Sequence, residues 1–160
     1  MEIVSVLIDG AKISVIFFQY DFISEGKKAG FIVTNERKTV LVVDDEENAR
    51  IGLSCFLCQE GYDVETASDG EEALEILRAK PHTSLIISDI NMPGMNGMSL
   101  LREVNRQHPE TAIIMVTAYG EVESYIDAMN LGAFEYLHKP VRTEELKLAM
   151  RKVLAKNRQS

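Results

Sequence analysis

The chain has 160 residues, of which 46% are hydrophobic and 26% are charged, and its formal net charge at pH 7 is -8. This length suits one globular domain with a real core, and a second catalytic domain would not fit. The acidic balance argues against direct binding of nucleic acid, because no Lys/Arg-rich segment offsets it. No apolar stretch is long enough to span a bilayer, so a protein without membrane contact, cytoplasmic in location, is expected.

Residues 1–36 do not share the pattern of the rest and are predicted to form an N-terminal extension. Two apolar, β-branched segments, residues 3–8 and 13–18, flank Asp9-Gly10, a dipeptide typical of hairpin turns. The alternatives are a small hairpin, a poorly ordered arm and a translation start set too far upstream. The segment lacks the basic start and the small-residue cleavage site of a signal peptide.

From residue 37 to residue 157, strand-like and helix-like segments alternate, which predicts one α/β domain followed by a tail at residues 158–160. The predicted strands are residues 40–43, 62–67, 84–88, 112–116 and 134–137. The predicted helices are residues 46–60, 69–79, 99–107, 122–131 and 144–156. Gly61 and Pro81 mark the ends of the first two helices.

Five strands, each followed by a helix, imply right-handed crossovers and a three-layer α/β sandwich. The expected fold is flavodoxin-like (βα)5, with a parallel five-stranded sheet in strand order 2-1-3-4-5. In such a sheet, ligands bind beyond the carboxyl ends of the strands, where the strand order reverses. Here the reversal lies between the first and the third strand.

Three acids follow these two strands. Asp44 and Asp45 come directly after the first strand, and Asp89 follows the third. The strand order brings them together, and clustered carboxylates are costly unless a cation such as Mg²⁺ joins them. As an alternative, Asp44 and Asp45 only start the first helix, since Asp is a favoured N-cap. That alternative does not explain Asp89, which precedes a Pro/Gly-rich loop.

Two further strand ends carry a hydroxyl and an ammonium group, from Thr117 and Lys139. Taken alone, Thr117 is a common strand-end residue and Lys139 a common surface charge. Beside three acids, however, they complete a pocket suited to a phosphoryl group, whose oxygens Mg²⁺ and Lys would neutralise while Thr donates a hydrogen bond. An aspartate can then act as the nucleophile and form an aspartyl phosphate.

These motifs resemble the receiver domain of two-component response regulators, in the CheY-like superfamily. The resemblance covers about residues 38–156. Its motifs are Val-Asp44-Asp45-Glu46, Asp89 followed by Met-Pro-Gly-Met-Asn-Gly at residues 92–97, Thr117-Ala118, and Lys139-Pro140.

The resemblance implies a role for each residue of the pocket. Asp89 is the implied acceptor of a phosphoryl group from the phosphohistidine of a sensor histidine kinase or phosphotransfer protein. Asp45, Asp89 and the backbone carbonyl of Asn91 are the implied Mg²⁺ ligands, with Asp44 assisting the metal through water. Lys139 is implied to pair with the phosphoryl group, and the Lys139-Pro140 peptide bond to be cis.

The resemblance also implies a switch in which Thr117 and Tyr136 move together on phosphorylation. Their movement would alter the face formed by the fourth helix, the fifth strand and the fifth helix, which binds a downstream protein target. As an alternative, Tyr136 is an edge-strand aromatic that only packs on a helix. Asn91 and Tyr119 flank the pocket and are candidates for tuning dephosphorylation.

The leading hypothesis is a stand-alone, phosphorylation-controlled binding module, monomeric or dimeric on phosphorylation, and not a dedicated enzyme. A second hypothesis is the receiver domain of a larger transcription regulator whose output domain is absent. A different class, the haloacid dehalogenase-type phosphotransferases, expects its nucleophile in Asp-x-Asp spacing at the first strand, whereas Asp44 and Asp45 are adjacent. Cys55-x-x-Cys58 lies near a helix C-terminus, which does not favour redox chemistry.

Overall fold

The computed structural model describes residues 2–8, 11–21, 27–35, 37–118 and 122–156. The chain divides into two compact units, Met1–Arg37 and Lys38–Ser160. The predicted turn at Asp9-Gly10 and the predicted tail at residues 158–160 lie outside the described residues.

The first unit contains an antiparallel sheet of three strands in the order β1-β2-β3. The strands are β1 (Glu2–Ile8), β2 (Ala11–Asp21) and β3 (Lys27–Asn35). Ile8 is paired with Ala11, so β1 and β2 are adjacent strands separated by two residues of sequence. The strand β3 was not predicted, because this segment begins with two lysines and contains Gly30, and both residue types are depleted in strands.

The second unit has five strands and five helices among its described residues. The strands are β4 (Thr39–Val43), β5 (Asp63–Ala67), β6 (Thr83–Asp89), β7 (Ala112–Thr117) and β8 (Glu135–His138). The helices are α1 (Glu47–Gln59), α2 (Gly70–Ala79), α3 (Gly97–Gln107), α4 (Val122–Asn130) and α5 (Thr143–Lys156). The strands form a parallel sheet in the order β5-β4-β6-β7-β8, which confirms the predicted 2-1-3-4-5 topology.

Alternating apolar residues along the strands build two separate core layers. In β4, Val40 and Val42 pack with residues of α1 and α5, such as Leu57 and Leu146. Leu41 of the same strand packs on the opposite face, with residues of α2, α3 and α4. Because side chains of a strand alternate between its two faces, a strand covered by helices on both sides is apolar at every position. The result is the three-layer sandwich that the sequence predicted.

The helices begin and end where local sequence signals place them. The side chain of Asp69 accepts a hydrogen bond from the backbone N–H of Glu72 and so caps α2, and Asn96 caps α3 in the same way through Ser99. Beyond the end of α1, Gly61 adopts a φ of 89°, a conformation that residues with a side chain rarely adopt. Among the helices of the described residues, none combines the length and apolarity needed to cross a membrane.

Candidate functional site

The acidic residues of the candidate site continue the alternation of the buried strands. Val42, Ile87 and Leu137 all belong to the core layer under α1 and α5. The residues two positions further along are Asp44, Asp89 and Lys139. Since positions i and i+2 of a strand share a face, the pattern carries these three charged residues to the same side of the sheet edge. Asp44 is only 7% exposed and Asp89 only 6%, so both carboxylates are buried.

The three predicted acids come together at this edge. Asp44, Asp45 and Asp89 each offer a carboxylate oxygen, and these oxygens all lie within 4.8 Å of one another. Asp45 is exposed, whereas the other two are buried. Three hard oxygen donors at such separations fit a cation such as Mg²⁺ and offer nothing to a soft metal.

The ammonium group of Lys139 lies between two of the carboxylates. Its Nζ donates hydrogen bonds to Oδ2 of Asp44 at 2.6 Å and to Oδ2 of Asp89 at 2.5 Å. Burial lowers the pKa of Lys139, but the hydrogen bonds to the two carboxylates outweigh it, so that pKa lies above the ordinary value of 10.5. The backbone N–H of Lys139 donates to the carbonyl of Thr117 at 2.7 Å, and the Lys139–Pro140 peptide bond is cis.

Backbone groups hold the other oxygens of these carboxylates. Oδ1 of Asp44 accepts from the N–H of Glu46 at 2.9 Å, and Oδ1 of Asp89 accepts from the N–H of Asn91 at 3.0 Å. Neither Asp44 nor Asp45 caps α1, because the N-cap residue is Glu46 and its side chain makes no capping bond. The helix-start interpretation of these two acids is therefore wrong.

Arg50 is a residue of the site that the sequence analysis missed. Its Nη1 donates to the backbone carbonyl of Asp44 at 2.6 Å, from the first turns of α1. The bond ties α1 to the strand end that carries the acids. The spacing from Asp44 to Arg50 places the arginine early in α1, but sequence spacing alone does not orient a long side chain toward a backbone carbonyl.

Asn91 and Thr117 meet across neighbouring strand ends. Nδ2 of Asn91 lies 3.4 Å from Oγ1 of Thr117, a long hydrogen bond, and Thr117 is fully buried. The two residues follow β6 and end β7, which are paired in the sheet. The hydroxyl of Thr117 is thus linked to the loop that begins after Asp89.

Tyr136 is a buried residue of β8, only 7% exposed. Its hydroxyl lies 2.9 Å from Oγ of Ser124 in α4. Its ring meets the rings of Tyr125 and His138 edge to face, with centroids 5.5 Å apart in both pairs. Tyr119, predicted to flank the pocket, lies outside the described residues.

A cavity of about 300 Å³ adjoins the charged residues on the side of α1 and α5. Asp89 and Lys139 line one end of it. Gly52, Leu53 and Phe56 of α1 contribute to its apolar wall.

The cysteines Cys55 and Cys58, also in α1, are both exposed and free.

A doubly wound sheet with an acidic cluster at its switch point defines a class of α/β proteins that bind charged ligands beyond the strand ends. Comparison with known proteins makes the assignment specific. The family model of the response regulator receiver domain matches residues 40–151. The chain belongs to the response regulator receiver domain family, whose members are phosphorylation-based signalling modules of two-component systems.

Solved structures agree with this assignment. A response regulator receiver domain protein from Clostridium thermocellum is 34% identical, with a TM-score of 0.73, and the match covers 76% of this chain and 98% of that one. A CheY-like receiver domain protein from Methanospirillum hungatei is 31% identical, with a TM-score of 0.74 and coverage of 78% and 98%.

Curated relatives are longer proteins. The regulatory protein AtoC of Escherichia coli is 37% identical over 72% of this chain, but the match spans only 25% of AtoC. The probable transcriptional regulator ycf27 of Porphyra purpurea is 42% identical over 75% of this chain, and the match spans 49% of that protein. The chain therefore spans about a quarter to a half of the curated relatives that it matches.

Proposed function

We propose that Asp89 accepts a phosphoryl group from the phosphohistidine of a sensor histidine kinase or phosphotransfer protein. The observation that carries this proposal is the position of the Lys139 ammonium, which donates one hydrogen bond to Oδ2 of Asp44 and one to Oδ2 of Asp89. Asp89 is a buried carboxylate at a strand end, and this ammonium lies beside the oxygen that would attack. Membership of the receiver family supports the same assignment.

The transfer exchanges one bond to phosphorus for another. An oxygen of Asp89 attacks the phosphorus, a P–O bond forms, and the P–N bond to the histidine breaks with its electron pair returning to the imidazole nitrogen. Charge on the transferring phosphoryl oxygens must be neutralised during this step. Lys139 supplies one positive charge at the position that its hydrogen bonds define.

The proposed Mg²⁺ ligands are the carboxylates of Asp44, Asp45 and Asp89 and the backbone carbonyl of Asn91. Asp44 would act through water. The closeness of the three carboxylates supports this ligand set. When bound, Mg²⁺ would supply positive charge that offsets both the carboxylates and the charge of the transferring phosphoryl group. Hydrogen bonds from Glu46 and Asn91 to the remaining oxygens hold two of these side chains in place.

The proposed output is a change in the face formed by α4, β8 and α5. Thr117 would move to bind the phosphoryl group, and Tyr136 would move with Thr117. Phosphorylation would thereby shift the balance between two conformations of this face. Tyr125 and Ile126 of α4 and Leu148 of α5 are large apolar residues that are 46%, 49% and 55% exposed. Exposed apolar residues on a switching face suit a downstream protein target. Such a face also suits a phosphorylation-dependent dimer.

A second candidate, the receiver domain of a larger transcription regulator, is supported by the length of the curated relatives, of which this chain spans a quarter to a half. In that case the α4, β8 and α5 face would contact another domain. Crosslinking from position 148 in the protein as the cell makes it separates the candidates. A crosslink to a domain of the same chain outside residues 1–160 would support the larger regulator, and a crosslink to a separate protein would support the stand-alone module.

The test of the proposed function is phosphorylation of Asp89→Asn. The protein is incubated with Mg²⁺ and acetyl phosphate and its mass is measured. The wild type is expected to gain the mass of one phosphoryl group, and Asp89→Asn to gain none, since an amide oxygen is a poor nucleophile of the same shape. Asp127→Asn, at an exposed residue of α4, is the matched control and should react normally. An adduct that persists in Asp89→Asn would refute the assignment.

A further inference from the structure

The loop between β6 and α3 carries Asn91, whose backbone carbonyl is a proposed metal ligand. The start of this loop is fixed by the bond from the N–H of Asn91 to Asp89. Its end is fixed by the capping bond from Asn96 to Ser99 and by the N–H of Gly97, which donates to the carbonyl of Ile90 at 3.0 Å. These contacts hold the two ends of the loop but not its middle.

The middle of the loop is held from α2. The N–H of Met95 donates to Oε2 of Glu71 at 2.9 Å, and the carbonyl of Met95 accepts from the N–H of Gly70 at 3.2 Å. Both backbone groups of one loop residue are therefore bound by consecutive residues in the first turn of α2. The N–H of Gly70 is available because the first N–H groups of a helix have no partner within the helix.

The approach of α2 to the loop leaves little free space. A Cβ added to Gly70 would lie 2.6 Å from Cγ and 2.8 Å from the carbonyl oxygen of Met95. A Cβ on Gly94 would lie 3.4 Å from Oε2 of Glu71, and Gly94 itself has a φ of 70°. The carboxylate of Glu71 thus lies against the tightest part of the loop, where the backbone turns.

We infer that Glu71 is a positioning residue for the metal site. Glu71 sets the affinity of that site for Mg²⁺ by holding the loop that presents the carbonyl of Asn91. This inference rests on the proposed function, since it assigns a task to a residue outside the acidic cluster. Glu71 acts through the N–H of Met95, and the neighbouring N–H of Gly70 holds the carbonyl of the same residue. The sequence gives no sign of this role, because an acid in the first turn of a helix is common.

The hydrogen bond between Met95 and Glu71 and the negative charge of Glu71 affect the Mg²⁺ affinity in different ways, and two variants separate them. Removing the carboxylate of Glu71 also removes one negative charge from the neighbourhood of a cation site. Glu71→Gln removes that charge but keeps an acceptor oxygen for the N–H of Met95, whereas Glu71→Ala removes both. Glu75→Ala removes one charge from an exposed position one turn further along α2 and is the control for helix charge.

The experiment measures two quantities on the full chain for each variant. Mg²⁺ affinity is obtained by NMR titration of backbone amides, and hydrogen exchange at the Met95 amide is measured without metal. Glu71→Ala is expected to bind Mg²⁺ about fivefold more weakly, the factor expected for loss of one typical hydrogen bond, and to exchange faster at Met95. Glu71→Gln and Glu75→Ala should remain within about twofold of the wild type on both measurements.

Each outcome decides one question. Equal Mg²⁺ affinity for the wild type and Glu71→Ala would overturn the inference and leave the proposed function standing. Equal weakening in Glu71→Gln and Glu71→Ala would also overturn it, since charge alone would then explain the effect. A wild type that binds no Mg²⁺ would refute the proposed metal site, and the inference with it. Weakening in Glu71→Ala that Glu71→Gln restores, with faster exchange at Met95, would support it.

Discussion

The two sides of β6 differ in how much space surrounds Asp89. On the side of α3, a Cβ on Gly97 would lie 2.1 Å from the backbone oxygen of Asp89 and 2.9 Å from Cα of Ile90. On the side of α1 and α5, a Cβ on Gly52 would meet no atom within 4 Å, and a cavity of about 300 Å³ lies beside it. The backbone of Asp89 is thus confined on one side, while its carboxylate lines the open one.

This difference separates two requirements of the site. A nucleophile, the role proposed for Asp89, must be held in position, and close contact between backbone segments does this without any side chain. The groups that join the nucleophile need space, which the open side offers next to Asp44, Asp89 and Lys139. The following changes test whether the close side is rigid and the open side tolerant.

The largest effect is expected at Gly97 on the close side. Gly97→Ala must displace the backbone of Asp89 or of α3, because backbone atoms cannot move aside as a flexible side chain can. We expect a loss of about 3 kcal/mol of unfolding free energy, measured by urea denaturation. A variant as stable as the wild type would show that the backbone on the α3 side of Asp89 adjusts to a side chain, which would contradict the proposed difference between the two sides.

A smaller effect is expected at Lys139, which neutralises the two buried carboxylates. Lys139→Met removes the cation and leaves Asp44 and Asp89 facing each other. The side chain of Lys139 is 22% exposed, so the loss should be about 1 to 2 kcal/mol, less than for a fully buried pair. Urea denaturation at neutral pH measures it, and added Mg²⁺ should restore part of the lost stability.

The same pair of proteins makes a prediction about alkaline pH. The two carboxylates hold the pKa of Lys139 above 10.5, so its contribution is fully present below that pH and is lost as the pH rises through the pKa of the folded state. The stability difference between the wild type and Lys139→Met should therefore be constant from pH 8 to about 10 and shrink above 10.5. If the stability difference already shrinks between pH 8 and 9, the pKa of Lys139 in the folded protein is not raised, which would contradict the prediction.

The smallest effect, and the only gain, is expected at Gly52 on the open side. Glycine inside a helix costs about 1 kcal/mol relative to alanine. Since no atom lies within 4 Å of the added Cβ, Gly52→Ala should raise the unfolding free energy by up to about 1 kcal/mol. Thermal denaturation measures the gain. A loss of stability would mean that α1 and α5 approach each other more closely than the structure shows.

The strands and helices of the second unit were predictable within a few residues, because their signals are local. The short apolar runs of β4 and β6, the cap at Asp69 and the glycine after α1 are each signals of a few neighbouring positions. The gathering of Asp44, Asp45 and Asp89 followed from the strand order, and the structure brings them within 4.8 Å. The strand β3 was missed because its lysines and its glycine weaken the local signal.

Sequence patterns were enough to locate the residues that end the strands of the sheet, because short apolar runs bounded by polar residues are local signals. Which side-chain atoms contact one another depends on how the helices and strands pack. The contact of Glu71 with Met95 spans 24 residues, and that of Lys139 with Asp44 spans 95. Such contacts depend on where whole helices and strand ends lie, and small differences in packing decide whether two groups bond.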